Sequence, residues 1–165
     1  MKKINKKWLH ANNACEAAIT WFKNQKETNP IKLIKHSIKK KFRLDWASWL
    51  IVRLMTYKQY VSYAVYAAEK VLDIYEKKYP TDERPRKAIE AAKNCIIRKT
   101  KKSSANAANA AANAAYAAAN AYAAANANAA AAANAAAAAN AAVYKQKLQI
   151  ETLKYGLNLL ERRTI

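Results

Sequence analysis

Apolar residues recur three and four positions apart through most of the first hundred residues, a spacing that places them on one side of successive helices. A first helix begins near Asn12 and carries Cys15, Ala18, Ile19 and Phe22 on one face, with Trp21 flanking it. The run Glu27-Thr28-Asn29-Pro30 ends it. Asn29 can cap the next helix and Pro30 suits that helix's first turn. The second helix points Ile31, Ile34 and Ile38 inward and Lys32, Lys35, Lys39, Lys40 and Lys41 outward. Residues 43–55 then give a strongly apolar helix with Leu44, Ala47, Leu50, Ile51 and Leu54 in core register.

Thr56 opens a long helix to about Tyr79, whose packing face is Val61, Ala64, Val65, Ala68, Val71, Leu72 and Tyr75. Tyr57, Tyr60, Tyr63 and Tyr66 step by three and drift around it. Pro80 to Arg86 form the clearest connector, with Asp82 as N-cap and Pro85 in the first turn of a helix reaching about Lys99. That helix is expected to bury Ala88, Ile89, Ala92, Cys95 and Ile96. The tail from Val143 to Arg163 is again amphipathic, through Leu148, Leu153, Leu157 and Leu160, with Gly156 as a weak point.

Between these parts lies a tract, Ser103 to Val143, built almost wholly of Ala and Asn, with Tyr116 and Tyr122 interspersed and no Gly, Pro or charge. Ala is the best intrinsic helix former, so the tract reads as helix, and Ser103 or Ser104 can cap it. Unbroken, it would extend roughly 60 Å. Asn106, Asn109, Asn113, Tyr116 and Asn120 share one stripe, while Tyr122, Asn126, Asn140 and Tyr144 fall on the opposite side, which predicts a bend near Asn126 to Asn128. Recurrent Asn excludes a membrane span, and disordered linkers are instead rich in Gly, Ser, Pro or charge. The expectation is a central bundle helix or helix pair.

The fold class expected is therefore all-α: a single compact multi-helix bundle over residues 1–165, with amphipathic helices in 12–100, the Ala/Asn-rich segment in 103–143 and a C-terminal helix in 144–163. One Gly and three Pro leave little turn chemistry for a β architecture.

Charge changes the picture. Thirty Lys and Arg face eleven Asp and Glu, a formal charge of +19, and no acidic residue lies between Glu90 and Glu151. Such a field attracts acidic proteins, nucleotides, nucleic acid or anionic surfaces. A compositional reading stands beside this one, because Lys far outnumbers Arg, and Asn and Ile are abundant, as in an AT-rich coding sequence. Cys15 and Cys95 are eighty positions apart and make no redox or metal motif. The basic N-terminus is followed by no apolar stretch of signal-peptide type, so the protein is expected in the cytoplasm.

The chain carries no phosphate-binding Gly-rich loop, no Ser-centred elbow and no helix bearing two His; His10 and His36 are isolated. No catalytic residue, metal site or cofactor is assigned, and the chain is read as a non-enzyme. The candidate ligand-binding residues are Arg84, Arg86 and Lys87 at a helix start, with Arg53, Tyr60 and Tyr63, because guanidinium groups grip phosphate while Tyr rings stack bases. Arg at a helix N-terminus opposes the dipole, which hints at another task for Arg84 or Arg86. A structural alternative pairs these arginines with Glu69, Asp73 or Asp45 across the bundle. Asp45, Glu69, Asp73 and Glu16 are the candidate polar network, since charges on apolar helices need partners where buried.

Three blocks are similar to a known family. Asp45-Trp46-Ala47-Ser48-Trp49-Leu50, then Tyr63-Ala64-Val65-Tyr66-Ala67-Ala68-Glu69, then Lys78-Tyr79-Pro80-Thr81-Asp82-Glu83-Arg84-Pro85-Arg86-Lys87-Ala88-Ile89-Glu90-Ala91-Ala92 resemble the "putative immunity protein" family. Its members occur beside polymorphic toxins and in phage genomes, and an Ala-rich helical tract follows this block in them. The tract here departs from the family in having Asn where Asp or Arg would be expected. The resemblance implies an all-helical binding protein, phage- or mobile-element-encoded, that neutralises a toxin or bacterial defence effector. Its partner would be an acidic protein met by the basic surface. The competing function is a counter-defence sponge for a phosphate ligand: a nucleotide second messenger, guide RNA or DNA. Exposed Tyr and Ala faces also suit a homodimer.

Overall fold

A computed structural model describes residues 3–97 and 135–162. Among these residues there are seven helices and no strand: α1 (Lys6–Ala11), α2 (Glu16–Lys23), α3 (Pro30–Lys40), α4 (Leu44–Arg53), α5 (Tyr57–Lys78), α6 (Arg84–Ile97) and α7 (Ala135–Glu161). The fold is all-α. The expected cap at Ser103 or Ser104, the Asn stripe and the bend near Asn126 to Asn128 lie outside the described residues; from Ala135 onward the tract is helical.

The helices divide into two compact units, residues 3–55 with 149–162, and residues 56–97 with 135–148. In the first, Asn29 caps α3 as expected, its side-chain oxygen accepting from the backbone N–H groups of Ile31 and Lys32. Glu27 accepts from the N–H groups of Thr28 and Asn29, at 3.0 and 2.7 Å. These donors, with Lys32, hold its carboxyl below the usual range against a smaller opposing effect of burial.

The buried stripe of α3 is Pro30, Leu33, Ile34 and Ser37. Ile34 is fully enclosed as expected, whereas Ile31 and Ile38, also expected inward, are half-buried, because the stripe centres on Leu33, Ile34 and Ser37. On α4 the buried set is Leu44, Ala47, Leu50 and Ile51, with Leu54 half-buried. Ile19, Ile34, Ile51 and Leu153 are enclosed almost completely. Gly156 is buried and α7 continues through it to Glu161. The short α1 was not predicted; Asn5 caps it by accepting from the Trp8 N–H at 2.8 Å, and Ile4 donates to the Thr28 carbonyl.

Tryptophans organise this unit around α4. Trp46 meets Trp21 of α2 edge-on at 5.8 Å, and Trp49 meets Trp8 of α1 edge-on at 6.2 Å. An arginine lies over each α4 ring: Arg43 over Trp46 at 4.3 Å and Arg53 over Trp49 at 3.9 Å. Between α3 and α4 the backbone turns through Lys41 (φ 52°) and Arg43 (φ 51°), both left-handed. For residues with a Cβ this costs about 1–2 kcal/mol each.

In the second unit α5 and α6 form an antiparallel hairpin around Val61, Ala64, Val65, Ala68, Leu72, Ile89 and Ala92, with Tyr60 and Ile96 against them. Three of the seven are Ala, so the two backbones approach closely. Thr56 and Gln59 form a reciprocal capping box at the start of α5.

Candidate functional site

The predicted basic cluster sits where α5 turns into α6, and the sequence explains the turn. Pro80 and Pro85 bracket it, and Asp82 Oδ1 accepts from the Arg84 backbone N–H at 3.1 Å. The same carboxylate takes the Arg84 guanidinium through two further bonds, Nε to Oδ1 at 2.8 Å and Nη2 to Oδ2 at 2.7 Å. Tyr75 donates its hydroxyl to Oδ2 at 2.6 Å. Arg84 first, then Tyr75, hold the Asp82 carboxyl well below the ordinary range, and the same bond raises the Tyr75 hydroxyl.

Two more pairs complete the turn. Arg86 forks onto Glu76, Nε to Oε1 at 2.8 Å and Nη2 to Oε2 at 2.6 Å, which lowers the glutamate and raises the arginine. Lys87 pairs with Glu83 at 2.8 Å, one turn apart on the helix. Beside these pairs is an open depression of about 550 Å³ lined by Asp73, Glu76, Lys77, Pro80, Asp82, Glu83 and Arg86. Among the described residues no group of His, Cys, Asp or Glu is placed to hold a metal ion.

This arrangement is a clamp. Arg84, Arg86 and Lys87 each already face a carboxylate, and the two arginines do so with the full fork of a guanidinium. An incoming phosphate would have to displace an intramolecular anion at each point. The unfavourable position of arginine at the α6 N-terminus is also accounted for, since Asp82 and Glu83 supply the negative charge that end prefers.

The other predicted residues lie elsewhere. Tyr60 is half-buried against the hairpin core and Tyr63 is only 8% exposed. Tyr60 precedes Glu76 by sixteen residues of α5, about 24 Å of helix, so it and the clamp belong to opposite ends of the hairpin. Arg53 belongs to the first unit, where it donates to the carbonyls of Asn12 and Trp49. The candidate polar network does not form one cluster. Asp45 and Glu16 are exposed in the first turns of α4 and α2, where they complement the helix dipoles. Glu69 pairs with Lys93 of α6, and Asp73 is exposed at the rim of the depression. Tyr75, Glu76 and the clamping role of Asp82 were missed. The ten-residue step from Glu76 to Arg86 spans a turn, where helical spacing gives no signal.

The best-formed polar site of this all-helical scaffold thus locks a hairpin, with its guanidinium groups already engaged. The model of the Imm-5 like putative immunity protein family matches residues 51–164, more than half of the chain, and the chain belongs to that family. The match takes in the α5–α6 hairpin and α7; α1, α2, α3 and most of α4 lie outside it. No curated protein and no solved structure gives a significant match. Among the described residues no helix is long and apolar enough to cross a membrane.

Proposed function

We propose that the chain is a non-enzymatic immunity-type inhibitor that binds an acidic protein, a toxin or a defence effector, through its basic surface and so neutralises it in the cytoplasm. Membership of the immunity family carries this reading. The formal charge of +19 supports an acidic partner, whose approach it would accelerate. The paired state of Arg84, Arg86 and Lys87 weighs against the phosphate-sponge reading, which relied on those groups being available.

The test is protection. Co-expression with the toxin or effector encoded beside it restores growth of the intoxicated cell, and the two proteins co-purify in fixed ratio. Growth arrest unchanged by co-expression, with purified chain carrying a nucleotide or nucleic acid absorbing near 260 nm, would refute the proposal.

A further inference from the structure

The α3–α4 corner combines features that the fold itself does not require. Lys41 occupies the left-handed position after α3, and the Lys41 and Phe42 N–H groups return to the carbonyls of Ile38 and Ser37. That pattern of helix termination ordinarily uses Gly at the left-handed position. Arg43 is left-handed too, so a bulky residue stands in a strained conformation on either side of Phe42. Termination patterns of this kind bury an apolar residue where Phe42 sits, yet 47% of Phe42 is exposed.

Arg43 reaches from Phe42 to Trp46, its guanidinium carbon 5.1 Å from the first ring centre and 4.3 Å from the second. Both aromatic contacts leave its N–H groups without a carboxylate partner among the described residues. Lys39, Lys40 and Lys41 are exposed alongside and equally without one. Lysines at a helix C-terminus offset the dipole, which accounts for their charge but not for the exposed ring or the strained backbone. Asp45 is the acid nearest in sequence. The contrast with Arg84, Arg86 and Lys87, each held by a carboxylate, is direct.

We infer that this corner is the docking surface for an acidic protein partner, with Phe42 as the apolar anchor and Arg43 as the fork for a partner carboxylate. An aromatic ring beside an arginine, fixed by the backbone before binding, is the usual make-up of an interface hot spot. Charge complementarity selects an acidic surface, and the inference rests on the proposed immunity function for the partner being a protein. It adds the place of contact, in a part of the chain that the family match does not reach.

The partner recovered in fixed ratio with the wild-type chain is identified, purified and titrated against the full-length chain and the variants Phe42→Ser, Arg43→Ala, Lys39→Gln/Lys40→Gln and Lys145→Glu. Phe42→Ser and Arg43→Ala each weaken binding about tenfold or more. Lys39→Gln/Lys40→Gln flattens the salt dependence, and Lys145→Glu, in the other unit, binds as wild type. Melting curves confirm that each variant is folded. If the partner binds Phe42→Ser and Arg43→Ala as tightly as wild type, the docking surface is refuted and the immunity function stands. If the wild-type chain yields no protein partner, both fall. Retention of short single-stranded DNA that is lost in Phe42→Ser, with no protein bound, makes the corner a nucleic-acid site and also overturns the inference.

Discussion

Arg86 grips Glu76 with two parallel hydrogen bonds of 2.8 and 2.6 Å, tying the first turn of α6 to the last turns of α5 across the connector. With Asp82 gathering Arg84 and Tyr75 beside it, this pair cross-links the hairpin's turn. Planar, two-point contact is something lysine cannot supply. Arg86→Lys therefore lowers the melting midpoint nearly as far as Arg86→Ala. A double-mutant cycle with Glu76→Ala gives a favourable coupling that shrinks in molar salt, as expected for an exposed pair.

Acid weakens this corner in a defined window. Asp82 and Glu76 have folded pKa values below their unfolded ones. Their contribution is complete above the unfolded carboxylate value of about 4 and is lost as pH falls toward the depressed folded values. Far-UV circular dichroism melts should be nearly flat from about pH 7 to 5 and fall below about pH 4. Asp82→Asn should start lower and show a shallower acid limb, because the titrating group is gone. At the alkaline end Tyr75, raised in the folded state, contributes below its unfolded value of about 10 and loses that contribution as pH climbs past it.

The edge-on pair of Trp21 and Trp46 predicts a coupling of about 0.5–1.5 kcal/mol beyond the area each ring buries, read from a double-mutant cycle to Leu in urea. No coupling would mean that the two rings contribute independently.

Core truncation should be costlier. Ile34→Ala, at a fully enclosed position, is expected to destabilise by about 2–5 kcal/mol, against about 1 kcal/mol for Thr56→Ala, which removes only the α5 cap. In the opposite direction, Lys41→Gly relieves a left-handed backbone at the cost of glycine's extra chain entropy. It should stabilise by about 0.5–1 kcal/mol. Urea denaturation measures all three.

Much of the fold was legible because helix signals are local. Asn29-Pro30 started α3, Thr56 started α5, and the stripe from Val61 to Leu72 faced the core as its spacing indicated. The site was less legible because its bonds are not periodic. Arg84 and Arg86 stood out as misplaced at a helix start, but their partners depend on how closely the connector closes, and the expected alternatives Asp45, Glu69 and Asp73 are not those partners. The α3–α4 corner was invisible for a related reason: the left-handed residues are Lys and Arg, so no Gly marked the turn. Tyr63 shows the converse, an aromatic on a drifting stripe that is buried in the fold.

The central claim, a protein that neutralises its target by binding it, is tested most directly by titrating the purified chain into the purified toxin or effector while following the target's activity. Inhibition that ends at a fixed stoichiometric ratio and reverses when the complex is dissociated in high salt is the result this account predicts. Inhibition by trace amounts of the chain, growing with time and surviving its removal, would mean catalytic turnover and would contradict it.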